Sequence, residues 1–285
     1  MSVAVLVVNF RAYDDLDRSL TSLGPFLSTN DEVVVVDNES DPKQLARLTA
    51  RHPRMRAIPS ERNLGFAAGV NLAARQSTKP ILLLLNPDTV VQGPVVRVLE
   101  QWLIDHPKTG VAGPRVLNTD GSVQPSARRF PGISAAIGGR STWLTSRFPN
   151  NPISRRNLSA RPGSDAVDVD WIAGSCLMTT RAAFDAAGGF DERFFLYWED
   201  ADYGRRLQAM GMKSTYVPAV SVTHAAGRSS GRVPATAIRA FHESALRLHL
   251  KHGGRFARWS APLAALALRI RMAWCLWRAD RPNAG

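Results

Sequence analysis

Two aspartates at the ends of apolar runs, and three acids behind a run of aromatics, are the residues whose types and spacing could do chemistry. Asp88 follows Ile81-Leu82-Leu83-Leu84-Leu85-Asn86-Pro87 directly. Five apolar residues without polar alternation read as a strand buried on both faces. The first carboxylate such a strand can offer lies past its carboxyl end, where an open parallel sheet keeps its ligand crevice. Pro87 removes a backbone donor and holds Asn86 extended, which stiffens the turn presenting Asp88. An Asx turn closing the strand explains Asp88 equally well. Asp37 ends a second such run, Val33 to Val36. Two strand-end acids suggest a nucleotide crevice with a cation. Glu199, Asp200 and Asp202 come after Phe194-Phe195-Leu196-Tyr197-Trp198. Helix-dipole partners or caps explain any one of these acids, but explain three behind four aromatics less well.

The elements that must position these residues alternate between strand and helix. Val3–Val8 reads as the first strand, ending at Asn9-Phe10, with a helix carrying Leu16, Leu20 and Leu23 behind it. A helix from about Pro42 comes after the Asp37 strand, and Met55–Ile58 reads as a third strand. Small residues at 65, 67, 68 and 69 open the next helix, allowing close approach of a ligand or of the neighbouring strand. After Asp88 come a helix through Val95, Leu99 and Leu103, and a strand over Gly110–Val116. The rhythm then breaks over about 118–166, which carries five prolines. It returns with Val167–Met178, a short helix stopped by Gly188-Gly189, a helix beginning near Asp200, and strands Ser214–Val217 and Val220–His224. Two further helices are expected at about 234–252 and 256–277. This alternation predicts an α/β fold with a mostly parallel sheet flanked by helices and a C-terminal helical extension.

Composition excludes several classes of protein. With 285 residues, 45% of them hydrophobic, the chain can bury a full core. Cys176 and Cys275 lack the spacing of a zinc knuckle or a disulfide framework, so a reducing compartment is expected. The short N-terminal apolar run has no basic lead-in, and no signal peptide is expected. The net charge of +12 is uneven. Seven arginines and no acid lie between Arg128 and Arg161, and ten arginines with Lys251 face only Glu243 and Asp280 between Arg228 and Arg281. The rest is mildly acidic. Nucleic acid, anionic lipid and phosphorylated substrates all suit that asymmetry, but the chain has no recognisable nucleic-acid-binding motif and none is expected to bind. The last helix mixes Trp259, Trp274 and Trp277 with leucines and arginines. It is too short in uncharged run to span a bilayer and suits a membrane interface, or docking on the domain with its arginines outward.

Val8-Asn9-Phe10, Val36-Asp37-Asn38-Glu39-Ser40, Asn63-Leu64-Gly65-Phe66, Asn86-Pro87-Asp88, Gly189-Phe190-Asp191-Glu192, Trp198-Glu199-Asp200 and His224 together resemble the family 2 glycosyltransferases of GT-A fold. The wording is most similar to their bacterial rhamnosyltransferase branch. The resemblance divides the chain into a glycosyltransferase domain over 1–228 and a basic helical extension over 229–285. Within the domain, 1–117 would be the nucleotide-binding half, 118–166 a basic loop insert, and 167–228 the acceptor and catalytic half.

The resemblance implies an inverting enzyme that uses a nucleotide-sugar donor, with dTDP-L-rhamnose foremost and a UDP-hexose or UDP-GlcNAc as alternatives. It also implies a lipid-linked or polysaccharide acceptor, Mg²⁺ or Mn²⁺, and a peripheral location on the cytoplasmic face of a bacterial plasma membrane. A sugar-nucleotide-binding protein without catalysis is the more distant reading. Asp200 takes the place of the general base, with Glu199 beside it. Asn9, Phe10, Asp37, Asn38, Asn63, Gly65, Asn86 and Asp88 would line the nucleotide-sugar site. Trp198 and Asp202 would meet the acceptor, and Asp88 with His224 would hold the metal. Asn86 stands where the family's Asp-x-Asp motif has its first acid, leaving two principal protein ligands and a metal site completed by the donor diphosphate.

Overall fold

The apolar runs form the middle of one sheet. The structure, a computed structural model, describes residues 1–130, 165–225 and 235–280. Its first half runs β1 (Val3–Phe10), α1 (Tyr13–Leu23), β2 (Glu32–Asn38), α2 (Pro42–Arg51), β3 (Met55–Ser60), α3 (Phe66–Arg75), β4 (Ile81–Leu85), β5 (Thr89–Val91), α4 (Val95–Asp105) and β6 (Thr109–Leu117). The second half holds β7 (Val123–Gln124), β8 (Ala127–Arg128), β9 (Val167–Val169), β10 (Trp171–Ile172), β11 (Cys176–Thr180), α5 (Arg181–Ala186), α6 (Glu199–Ala209) and β12 (Lys213–His224). Two helices close the described chain, α7 (Ala235–His252) and α8 (Gly254–Ala279). Most of the basic stretch expected over 118–166, and the approach to the C-terminal extension at 226–234, lie outside the described residues.

Local chemistry sets the boundaries. Asp41 caps α2 by accepting from the Lys43 and Gln44 backbone N–H groups at 2.9 and 3.2 Å, and Pro42 fills the first helical turn. Thr180 caps α5 in the same way, and Gly188 and Gly189 end its connection with positive φ. Every residue of β4 is buried, as the unbroken apolar run requires. Alternate residues of β1 and β4 feed two cores. Val5, Val7 and Leu83 pack on the side holding Leu16 and Leu99, while Leu6, Leu82 and Leu84 pack on the side holding Val70, Phe184 and Tyr203.

The sheet order is β3-β2-β1-β4-β11-β6-β12-β5. It is parallel from β3 to β4, as expected, and mixed beyond, because β11 inserts antiparallel to both β4 and β6. The two C-terminal strands expected on either side of Pro218 are one strand, β12, whose pairing with β6 slips between Val217 and Ser221. The slip leaves Pro218 outside the ladder, which is how a proline survives inside a central strand. Strand register also brings distant polar residues together: Asn9 sits opposite Asp37, and His224 opposite Thr89, next to Asp88.

Candidate active site

A closed network lies at the carboxyl ends of β1 and β2. Asp37 is fully buried and accepts from Asn9 Nδ2 at 2.7 Å, Tyr13 Oη at 2.9 Å and Ser40 Oγ at 2.6 Å. Tyr13 Oη in turn accepts from the Asp41 N–H at 2.7 Å. Three of roughly four acceptor positions on the carboxylate are therefore engaged by the protein. Asn38 is also buried; its Oδ1 accepts from Leu64 N at 3.2 Å and its Nδ2 donates to Gly65 O at 3.4 Å, so it ties down the loop between β3 and α3. Asn63 caps the same loop by accepting from Gly65 N at 2.9 Å. Phe10 is exposed beside this network under the Arg11 guanidinium.

Gly65 joins the two halves. Its φ of 84° and ψ of 177° belong to backbone that side chains avoid, and a Cβ there would stand 2.4 Å from the Phe195 carbonyl oxygen. The absent side chain lets Phe66 N donate to that same oxygen at 2.7 Å. The close approach at Gly65 is thus to the backbone preceding Trp198, while Gly69 lets α3 settle on the neighbouring strand, where a Cβ would stand 2.8 Å from Val8.

Opposite, the β4–β5 turn meets the end of β12. Asp88 Oδ1 lies 3.1 Å from His224 Nε2, and Asn86 Nδ2 lies 3.2 Å from the same nitrogen. Gln124 grips His224 twice: its Nε2 donates to the His224 carbonyl at 2.8 Å, and its Oε1 faces His224 Nδ1 at 3.0 Å. A carbonyl can only accept, so the amide's orientation is determined and Nδ1 must carry the hydrogen. In neutral His224 the lone pair then sits on Nε2, facing both the Asn86 amide and a carboxylate oxygen of Asp88. Two electron-rich atoms held face to face suit a shared cation. Among the described residues no three His, Cys, Asp or Glu gather as a metal cluster. One carboxylate and one imidazole fit an ion that takes its other ligands from phosphate oxygens and water, as Mg²⁺ and Mn²⁺ do.

The catalytic turn is strained. Tyr197 and Trp198 have φ of 67° and 71°, a left-handed conformation costly for side chains of this size. That turn starts α6 and swings Glu199 and Asp200 into a cavity of about 600 Å³ shared with Asn86, His224, Trp171 and Phe241. Asp200 Oδ2 accepts from Gly174 N at 2.9 Å, and Oδ1 from Ala201 N at 2.8 Å. Burial pushes the Asp200 pKa up, against the Gly174 N–H and the charge of Arg128. Burial and the neighbouring Asp200 charge push Glu199 much further up, and its Oε2 has no protein partner. Trp171 Nε1 and Trp198 Nε1 also lack partners. Buried polar atoms of this kind find their partners in ligand or water.

Asp202 does not join this cavity. It is fully buried on the far side of α6, where it meets Arg206 Nε at 2.8 Å, His252 Nε2 at 2.7 Å and Lys251 Nζ at 2.5 Å. Residues two apart on a helix point to nearly opposite sides, so Asp200 and Asp202 cannot both face an acceptor. Asp202 instead ties α6 to α7. The sequence left Tyr13, Gln124, Arg128, Trp171, Gly174 and Phe241 unmarked. Tyr13 carried a signal, as the first helical residue behind strand-end Asn9. Gln124 and Arg128 stand in an irregular proline-containing stretch that offers none.

The arrangement combines a strand-end acid, a clamped histidine and a half-buried carboxylate across one crevice. Known proteins of this layout are similar along most of the chain. An N-acetylglucosaminyl-diphospho-decaprenol L-rhamnosyltransferase of Mycobacterium tuberculosis is 34% identical, over 94% of this chain and 91% of its own. The crystal structure of GalNAc-T7 with UDP, GalNAc and Mn²⁺ superposes with a TM-score of 0.62 at 16% identity, over 84% of this chain and 47% of that one. The mannosyltransferase PcManGT from Pyrobaculum calidifontis, in complex with GDP-Man and Mn²⁺, gives a TM-score of 0.59 at 16% identity, over 99% and 76%. Both likenesses establish the GT-A fold. The profile described as Glycosyl transferase family 2 matches residues 4–184, and with it the chain belongs to that family of glycosyltransferases.

Proposed function

We propose that this glycosyltransferase moves L-rhamnose from dTDP-L-rhamnose, with inversion, to a saccharide carried on a lipid diphosphate at the inner face of the plasma membrane. The observation that carries the reading is Asp200, a half-buried carboxylate of raised pKa at the edge of a cavity walled by Trp171 and Trp198. The M. tuberculosis relative named for rhamnosyl transfer to such an acceptor supports the choice of sugar and acceptor.

Asp200, held by the Gly174 and Ala201 N–H groups, takes the proton of the acceptor hydroxyl. That oxygen bonds to the anomeric carbon as the bond to the donor diphosphate breaks on the opposite face, and inversion results. Trp198 stacks on a sugar face, and Glu199, whose Oε2 has no protein partner, hydrogen-bonds a neighbouring hydroxyl. Asp37 steadies Asn9 and Tyr13 from beneath and keeps one acceptor position for the nucleobase. Mg²⁺ or Mn²⁺, held by Asp88 and His224 together with diphosphate oxygens, would stabilise charge on the departing diphosphate.

Calorimetric titration with dTDP-L-rhamnose and a panel of UDP-sugars, with and without Mn²⁺, tests the donor. Mn²⁺-dependent binding of dTDP-L-rhamnose alone is expected. Preference for a UDP-sugar would replace the donor, and no binding at all would contradict the reading.

A further inference from the structure

Helix α8 is apolar on two opposite sides. One side carries Ala257, Leu268 and Met272, buried or half-buried, where α8 packs along α7. The other carries Phe256, Trp259, Leu263, Leu266, Ile270 and Trp274, spaced by three or four residues and exposed from 44% at Trp274 to 90% at Trp259. At 3.6 residues per turn these six fall in one outward stripe. Arg255, Arg258 and Arg269 run along one margin of it, and Arg278 along the other. The Arg278 guanidinium lies 4.8 Å from the centre of the Trp274 ring.

We infer that this stripe docks the chain on an anionic bilayer, lying in the plane of the headgroups. Tryptophans and leucines would enter the acyl boundary while arginines on both margins meet lipid phosphates. Charge decides between bilayer and a second copy of the chain. Between Gly254 and Ala279 there are five arginines and no acid, so pairing two such helices along the stripe would set arginine against arginine. No helix among the described residues is long and apolar enough to cross a membrane, so α8 lies on the surface.

The placement suits a lipid-borne acceptor, and to that extent rests on the function proposed above. Phe241 of α7 lines the acceptor cavity and packs against Trp198 with ring centres 5.3 Å apart. From the other side the Arg271 guanidinium sits 5.7 Å from the same ring. One helix thickness thus separates the docking stripe from the catalytic cavity.

The test is co-sedimentation of the full chain with vesicles of phosphatidylglycerol and phosphatidylcholine, or of phosphatidylcholine alone. Turnover of a short-chain, water-soluble N-acetylglucosaminyl diphosphate is measured in parallel. The parent should sediment at least tenfold more with the anionic vesicles. Replacing Leu263, Ile270 and Trp259 by serine should remove that binding and leave turnover of the soluble acceptor unchanged. A second variant, with Arg258 and Arg269 changed to glutamine, should lose the preference for anionic lipid. Equal binding by parent and serine variant, absence of parent binding, or a parent dimer that the serine variant dissolves would each overturn the inference. The vesicle result stands whether or not the soluble acceptor is turned over, so a failed turnover assay would count against the proposed function alone.

Discussion

The ends of β1 and β2 and the crevice at the start of α6 treat their polar groups differently. Around Asp37 and Asn38 the side chains satisfy one another, on regular parallel strands whose ends the register aligns. Around Glu199 the backbone is left-handed at Tyr197 and Trp198, and Glu199 Oε2, Trp171 Nε1 and Trp198 Nε1 have no protein partner. A self-satisfied network builds a rigid floor before any ligand arrives. Strain and open valences mark the place where the ligand must finish the structure.

Asp202 is where that contrast breaks down, since it is a self-satisfied carboxylate three residues from an unsatisfied one. Removing its charge leaves the half-buried Arg206 without its carboxylate and Lys251 with Asp191 alone, so Asp202→Asn should cost about 3–5 kcal/mol of stability in urea denaturation. The acceptor KM of the folded enzyme should not change; a raised KM with unaltered stability would return Asp202 to the acceptor site.

Gln124 sharpens the contrast from the other direction, as a prepared clamp beside Asp88 and His224. Gln124→Leu frees the His224 ring and should weaken Mn²⁺ binding, measured by calorimetry with dTDP present, by about 10–100-fold. Unchanged affinity would mean that His224 needs no orienting partner.

Glu199 should show what an open valence costs. Its folded pKa is raised, so above the ordinary value of 4.5 the unfolded chain releases a proton that the folded chain keeps. Stability is full below that value and falls as pH rises toward the native pKa. Glu199→Gln cannot titrate, so its stability should gain on the parent's as pH rises from 5 to 7. Parallel stability curves for the two would show that Glu199 is not held protonated.

Much of the first half was legible because its signals are local. The run Ile81–Leu85 announced a strand buried on both faces, and the position of Asp88 came from where such a strand ends. The small residues at 65–69 announced a close approach, but not that the approaching group was the Phe195 carbonyl, 130 residues away. The second half depends on distant pairings with no local period. β11 inserts antiparallel between β4 and β6, Gln124 reaches His224 across 100 residues, and Asp202 finds Lys251 and His252 on another helix. The two-sided apolar pattern of α8 showed its composition in sequence, and needed α7 in place to show which side faces out.

The central claim is that Asp200 is the base, and single-turnover transfer from dTDP-L-rhamnose by Asp200→Asn tests it most directly. Transfer should fall by about 10²–10⁴-fold, while calorimetry returns the parent's donor affinity. Transfer within about threefold of the parent would contradict the account, because the acceptor proton would then be leaving by another route.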